Sequence, residues 1–253
     1  MSHFARLFLS RLVANRRGRA FLLSFMADAE ESDEGAFDRL VASADASPEL
    51  SKLVRTHGED EARHARLLRD CLGRVGVTPE PLPPELRYID RLDRLTDGKF
   101  RRGFLADDGA VGVMKVYALL QIVEERGVGQ FPLIARAFDA VDADTARTID
   151  AIVADEERHV RYARAITQRY APDAATLADA LAEFRALEAR AFADHGRDFF
   201  AWAAAHDLVG ISALERAGWR AIALATRALP AYGGPRRAPW RKRQDIRIAS
   251  APR

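Results

Sequence analysis

Apolar residues recur at helical spacing along four long segments of the chain, and no segment alternates in the way a half-buried strand does. The first segment runs from about Arg19 to Ala44. The second begins at Ser47 and Pro48, a capping residue followed by proline at the first helical position, and frays at Gly73 and Gly76. The pattern predicts two helices joined by a short loop.

The second half of the pattern predicts another helical pair. A third helix begins near Gly109, and a fourth follows a polar break at Asp142–Asp144 and ends at Pro172. Between the pairs lies a proline-rich connection over residues 77–108, with a short helix predicted around 86–95. Because short loops join antiparallel neighbours and a crossover lets two hairpins assemble, we expect an all-α fold, a four-helix bundle with one long crossover.

Two further helices are predicted at 174–203 and 208–229, rich in alanine with aromatic residues. The expected organisation is a basic N-terminal segment at 1–18, the bundle at 19–171, accessory C-terminal helices packed on the bundle at 172–232, and a basic flexible tail at 233–253.

Composition narrows the class of protein. The chain has 253 residues, of which 48% are hydrophobic and 30% charged, which excludes a mainly disordered protein. The charge-free stretches are too short for a transmembrane helix. Cys71 is the single cysteine, which excludes an internal disulfide framework and a four-cysteine metal centre. A cytoplasmic protein is expected.

The net charge of +2 hides a strong asymmetry. The residues before Asp28 carry +5, those from Pro235 onward carry +6, and the middle of the chain carries −9. Basic ends suit solvated tails or an anionic membrane surface, so peripheral membrane association stays open, whereas nucleic acid is not an expected partner. The apolar side of the N-terminal segment, with Phe4 and Phe8, suits an organelle-targeting or membrane-surface helix, or a segment that lengthens or covers the first bundle helix.

Two matched pentapeptides carry the candidate chemistry. Residues 60–64 and 155–159 both read D-E-x-R-H. Residues three apart share a helix face, so Glu61 with His64, and Glu156 with His159, each present an oxygen and a nitrogen to one point. A single E-x-x-H arises easily by chance in a chain with 15 Glu and six His, but two in matched pentapeptides do not.

Both pairs fall in phase with the apolar stripe of their helix, which predicts that these charged groups point inward. An unpaired carboxylate in a protein interior is very costly, and a bound metal ion removes that cost. A two-metal site in a bundle needs one further carboxylate from each of the other two helices.

Loop positions and helix phase select those carboxylates. On the first helix, counting back across the hairpin leads to residue 29, and Glu30 shares the apolar stripe, whereas Glu31 and Glu34 fall on the solvated side. On the third helix, the loop count favours Glu125 and the phase favours Glu124, so Glu124 is chosen with Glu125 left open.

The predicted ligands are four carboxylates and two imidazoles, a set suited to two iron ions, with manganese as the alternative. They are Glu30, Glu61, His64, Glu124, Glu156 and His159. His57, one turn before Glu61, is either a hydrogen-bonding support or a core histidine. Tyr117 either borders the metal pocket or packs in the core.

These residues resemble the ferritin-like di-iron carboxylate superfamily, whose pattern is Glu on one helix, E-x-x-H on the next, and the same again after a crossover. The resemblance spans about residues 20–170 and implies a ferritin-like bundle. In oxygen-activating members an aspartate often precedes each E-x-x-H and supports a ligating histidine, a role that would fall to Asp60 and Asp155.

The leading functional expectation is a non-haem di-iron oxidoreductase that activates O₂ or peroxide, such as an oxygenase or hydroxylase of an apolar small molecule. It would need that substrate and an external electron donor, and a homodimer is a further expectation. Spacing also resembles the aldehyde-deformylating oxygenases and the demethoxyubiquinone hydroxylases. The alternatives are a rubrerythrin-like peroxidase, an iron-storage protein, and a metal-stabilised binding protein without enzymatic activity.

Overall fold

The structure is a computed structural model that describes residues 3–31, 48–102 and 109–210, with Ser212, Glu215, Ala217 and Gly218. Within those ranges it contains seven α-helices and no strand, which confirms the all-α prediction for this part of the chain. The helices are α1 His3–Ala14, α2 Arg16–Glu31, α3 Pro48–Val75, α4 Tyr88–Leu95, α5 Gly109–Asp139, α6 Ala143–Tyr170 and α7 Ala174–Ala205, and a 3₁₀ turn covers Pro84–Leu86.

The central helices pack as antiparallel neighbours. On α2 and α3, Arg16 donates to the Val75 carbonyl at 2.8 Å, while the opposite end of α2 reaches the middle of α3. On α3 and α6, Arg74 donates to Thr145 at 3.2 Å. Helices α5 and α6 are joined by a tight turn in which Asp142 caps α6 by accepting from the Thr145 backbone at 3.0 Å.

Two apolar cores lie at opposite ends of this bundle. One gathers Phe21 of α2 and Phe138 of α5 with the C-terminal part of α7, and it includes Cys71. The other gathers the N-terminal half of α5, around Tyr117, with α4 and the N-terminal half of α7. The level between the two cores is occupied by charged residues of the central helices, which places the matched pentapeptides in the middle of the bundle.

The first predicted helix is divided differently in the structure. Helix α2 begins at Arg16 rather than Arg19, because the Asn15 side chain accepts from the backbone N–H of Arg17 and Gly18 and so caps the helix. A separate helix, α1, precedes it and buries Phe8 in the first core. The predicted continuation to Ala44 lies outside the described residues beyond Glu31.

Gly18 allows the close approach of three chain segments. A Cβ atom there would lie 2.3 Å from the Leu12 carbonyl oxygen and 2.3 Å from that of Leu208, both backbone atoms that cannot swing aside. We therefore expect Gly18→Ala to lower the free energy of unfolding by about 1–3 kcal/mol through overpacking. Urea denaturation measures the loss, and Gly73→Ala, where a Cβ meets nothing within 4 Å, is the matched control.

The chain after Pro172 begins as predicted and then departs from the prediction. Asp173 caps α7 by accepting from Thr176, and the helix runs to Ala205. Residues 206–210 form a turn, with Asp207 and Gly210 at positive φ, so the helix predicted from 208 does not begin there. Most of 211–229 and all of the basic tail at 233–253 lie outside the described residues. Within the described ranges, no helix combines the length and apolar character needed to cross a bilayer.

A buried ion pair ties α7 to the bundle. Arg126 of α5 donates twice to Glu188, at 2.8 Å and 2.8 Å, and Tyr88 of α4 donates to the same carboxylate at 2.7 Å. Glu188 is fully buried, so the pair and its hydrogen bonds offset a large desolvation cost.

His195 of α7 lies in an aromatic pocket and gives a pH-dependent contribution to stability. It stacks on Phe25 with ring centroids 5.1 Å apart, and its Nδ1 has no hydrogen bond with the described residues. Burial, helped by the nearby Arg91 charge and opposed by Asp198, lowers the pKa of His195 to about 4. Above pH 6.5, the ordinary pKa of histidine, His195 is neutral in both the folded and the unfolded state. Its titration then contributes nothing to the free energy of unfolding.

As the pH falls from 6.5 towards 4, His195 binds a proton in the unfolded chain but stays neutral in the folded protein. The free energy of unfolding therefore falls by about 3 kcal/mol. His195→Phe keeps the ring and removes the titration. The stability of this variant relative to the wild type should therefore rise across that interval, as urea denaturation at pH 7, 5.5 and 4.5 would measure. A constant difference between the two proteins would contradict the prediction.

Candidate metal centre

Four helices contribute charged side chains to the level between the two cores. Helix α2 contributes its last buried residue, α3 and α6 contribute their D-E-x-R-H segments, and α5 contributes one carboxylate. All six predicted ligands are buried, none being more than 8% exposed, and so is one further histidine. The residues are Glu30, His57, Glu61, His64, Glu124, Glu156 and His159.

These side chains form two groups that share one residue. The first group, here called the α2-side cluster, consists of Glu30, Glu61, His64 and Glu156. The second, the α5-side cluster, consists of His57, Glu61, Glu124 and His159. Within each cluster the four potential ligand atoms lie within 4.8 Å of one another.

In the α2-side cluster, the Nδ1 atom of His64 is the central contact. It lies 3.2 Å from Glu30 Oε2, 3.2 Å from Glu156 Oε1 and 3.8 Å from Glu61 Oε2. Three carboxylates from three different helices therefore converge on one imidazole nitrogen.

In the α5-side cluster, Glu61 Oε1 is the central contact. It lies 3.0 Å from His57 Nε2 and 3.1 Å from His159 Nδ1. Glu124 Oε1 lies 3.2 Å from His57 Nε2, and Glu156 Oε2 lies 3.4 Å from His159 Nδ1. The carboxylates of Glu61 and Glu156 thus each face histidines of both clusters, as ligands shared between two neighbouring ions would.

Several of these close contacts are not hydrogen bonds. Three buried atoms make no hydrogen bond with the described residues: Glu61 Oε1, Glu156 Oε1 and His159 Nδ1. Each of the two oxygens nevertheless lies within 3.4 Å of a histidine nitrogen, and the nitrogen lies within 3.4 Å of a carboxylate oxygen. Buried polar atoms are rarely left without a partner in a native structure. Donor atoms that converge without bonding to one another fit a metal ion, and a set of carboxylates and imidazoles suits iron or manganese.

The carboxylates create a strongly negative local field. Burial and the neighbouring Glu61 charge raise the pKa of Glu30 well above its ordinary value, and burial with the Glu156 charge does the same for Glu124. Burial alone would also raise the pKa of Glu61 and Glu156, but contacts with the cluster histidines outweigh it. These contacts hold the pKa of Glu61 well below its ordinary value and lower that of Glu156 to about 2.

The histidines respond to the same field. Burial alone would lower their pKa values, but the surrounding carboxylates outweigh it and raise the pKa of His64 to about 12 and that of His159 to about 9. A buried site that favours positive charge this strongly is suited to cations.

The outer nitrogens of His64 and His159, their Nε2 atoms, each contact an aspartate, and two arginines bind these aspartates. Asp155 Oδ2 lies 3.3 Å from His64 Nε2, and Asp60 Oδ2 lies 3.3 Å from His159 Nε2, so each aspartate contacts the histidine of the opposite helix. Arg63 donates to both aspartates, at 2.8 Å and 2.6 Å. A carboxylate in contact with one nitrogen of a histidine ring fixes which nitrogen carries the proton and aims the other nitrogen inward.

Arg158 of α6 binds the same two aspartates as Arg63 of α3. It donates to Asp60 at 2.6 Å and to Asp155 at 2.5 Å, so the two arginines bridge α3 and α6 symmetrically. The pKa values of both aspartates are lowered, since bonds from the arginines outweigh the effect of burial. The aspartates therefore stay charged and act as acceptors.

The carboxylates adjacent to the chosen ones lie outside the clusters. Glu125 accepts from Gln121 at 2.8 Å and from Arg164 of α6 at 3.0 Å, and it belongs to neither cluster. Glu31 is exposed and pairs with Arg69. Glu34 lies outside the described residues.

Two residues at the α5-side cluster were not predicted as ligands. His57 faces the cluster directly, and Tyr162 Oη contacts the Nδ1 atom of His57. The signal for both was present in the sequence, because His57 lies four residues before Glu61 and Tyr162 lies three after His159, each on the inward face. Tyr117 lies nearby, with its ring centroid 6.4 Å from that of Tyr162.

Two surface cavities lie away from these clusters. One, of about 410 Å³, is bordered by Arg6 of α1 and Arg136 of α5, and the other, of about 490 Å³, by Arg74 of α3 and Arg147 of α6. Neither is lined by a cluster residue.

Comparison of the chain with known protein families finds no match, and neither do comparisons with curated proteins and with solved structures. The buried His and Glu clusters are compatible with a ferritin-like metal site.

Proposed function

We propose that this protein is a ferritin-like non-haem oxidoreductase that holds two iron ions, with manganese as the alternative, and activates O₂ or peroxide. The observation that carries the proposal is the pair of buried clusters that share Glu61. Four carboxylates can largely offset the charge of two divalent ions, which would replace the protons that the raised pKa values of Glu30, Glu124, His64 and His159 hold in the site.

Each cluster would hold one ion. Glu30 and His64 would bind the ion on the α2 side, Glu124 and His159 the ion on the α5 side, while Glu61 and Glu156 would reach both. Two iron ions bound in this way can supply two electrons jointly to O₂ or peroxide.

The chain itself supplies orientation and a dry environment. Asp60 and Asp155 aim the ligating nitrogens, and Arg63 and Arg158 keep those aspartates charged. The two apolar cores above and below exclude water from the clusters. An external electron donor and an apolar small molecule complete the proposed reaction.

Anaerobic reconstitution of the full chain with two equivalents of Fe²⁺, followed by exposure to O₂, tests this function. We expect fast consumption of one O₂ for every two Fe²⁺, because the two ions act as a pair. A protein with Glu61→Ala should show only the slow oxidation of free Fe²⁺. Consumption at the same slow rate by both proteins would contradict the proposal.

The same preparation separates the alternatives. Fast turnover of peroxide without an organic substrate would identify a peroxidase. A large hollow assembly holding many irons per chain would identify a storage protein. Two bound ions with neither O₂ nor peroxide consumption would identify a metal-stabilised binding protein.

A further inference from the structure

The two clusters are built from matched pentapeptides, yet the residues around those pentapeptides differ. Four positions before Glu61 stands His57, whereas four positions before Glu156 stands Ile152. Both residues are buried, at 1% and 0% exposure, and both point into the bundle. The symmetry of the site is therefore broken at one defined position.

His57 is oriented as a ligand of the α5-side cluster. Its Nε2 lies 3.0 Å from Glu61 Oε1 and 3.2 Å from Glu124 Oε1, and its ring packs against that of His159 with centroids 4.0 Å apart. With Glu124 and His159, it encloses the same point from three helices.

The opposite nitrogen of the ring has its own partner. Tyr162, which lies three residues after His159 on α6, contacts Nδ1 of His57 through its Oη atom. Three residues after His64 on α3, the corresponding position is Leu67. If Nδ1 carries the proton and donates it to the tyrosine oxygen, the lone pair of Nε2 points into the cluster. Tyr162 is thus a positioning residue for His57, with no equivalent on the other side.

On the basis of the proposed dinuclear centre, we propose that His57 is a seventh ligand, which makes the two metal positions chemically unequal. The α5-side position has two imidazoles and the α2-side position has one. Imidazole ligands suit Fe²⁺, while carboxylate-rich sites suit Mn²⁺. The α5-side position therefore fills first when Fe²⁺ is added.

The competing role for His57 is that of a hydrogen-bond donor to Glu61 and Glu124. The two roles require opposite protonation of Nε2, since a donor carries the proton there and a ligand does not. A glutamine at this position keeps an N–H donor but provides no imidazole, so it separates the roles.

Anaerobic calorimetric titration of the full chain with Fe²⁺ tests the order of filling. The wild type should bind two ions in two resolved steps, and His57→Gln should weaken the tighter step by at least about 10-fold while still binding two ions. Tyr162→Phe should weaken the same step less. His195→Gln, which removes a buried imidazole outside the clusters, should leave both steps unchanged.

Nitrogen NMR of ¹⁵N-histidine protein loaded with Zn²⁺, a diamagnetic probe, identifies the coordinated atoms directly. We expect metal-shifted signals from Nε2 of His57 and from Nδ1 of both His64 and His159, with the first signal absent in His57→Gln. A protonated Nε2 on His57 in protein with two bound ions, or full retention of affinity in His57→Gln, would overturn this inference alone. A wild type that binds neither Fe²⁺ nor Zn²⁺ would instead overturn the proposed function.

Discussion

Replacing Glu61 with alanine is expected to reduce the bound iron from two ions per chain to none. Glu61 is the one residue that belongs to both clusters, and its Oε1 lies within 3.1 Å of two histidines. Removing it also leaves imidazolium and carboxyl groups without their central partner. Metal analysis after anaerobic loading and desalting measures the loss, and His159→Ala should produce a comparable one.

Two further variants make this result specific. Glu30→Ala, which removes a carboxylate of the α2-side cluster alone, should leave one ion per chain. Glu59→Ala removes an exposed carboxylate two residues earlier on the same helix and should leave two. Full iron content in Glu61→Ala would show that the ions bind elsewhere.

Loading the wild-type protein with Fe²⁺ or Mn²⁺ under anaerobic conditions is expected to raise the melting temperature by about 10 °C. A ligand that binds the folded state alone stabilises it by about 4 kcal/mol at 1,000 times its dissociation constant. A domain of this size shifts by roughly 2–4 °C for each kcal/mol. The physical source is that the ligand atoms are assembled only in the folded protein, so the ions bind the folded state and not the unfolded chain.

The measurement is a thermal melt at several metal concentrations. The melting temperature should rise with the logarithm of free metal above the dissociation constant in the wild type and stay constant in Glu61→Ala. Mg²⁺ at equal concentration is the matched control ion, because it prefers oxygen ligands and keeps several of its waters. Equal shifts with Mg²⁺ would indicate general charge screening instead of a specific site.

Helix periodicity was sufficient to predict much of what surrounds the clusters. It placed Glu124 on the inward face and Glu125 away from it, although a count from the loop favoured the latter. Phase succeeded because 3.6 residues per turn is fixed by backbone geometry, whereas loop lengths vary. The same regularity gave α3 and α6 nearly to their observed ends.

Features that depend on contacts between distant residues were not predictable in this way. The approach of Leu208 to Gly18 depends on where α7 ends. The Asn15 cap that divides α1 from α2, by contrast, involves only neighbouring residues. The buried pair of Arg126 and Glu188 likewise has no sequence pattern, since its residues lie on separate helices. The sequence alone does not distinguish the two roles of His57, because only the assembled bundle shows what its inner nitrogen faces.

The crossed bonds outside the histidines have a mechanical consequence. Asp60 on α3 aims His159 on α6, and Asp155 on α6 aims His64 on α3, so each helix holds the other's imidazole. Sliding α3 along α6 by a single residue, about 1.5 Å, would disengage both rings together. The two aspartate–histidine contacts are therefore coupled, because a shift between the helices that breaks one of them also breaks the other.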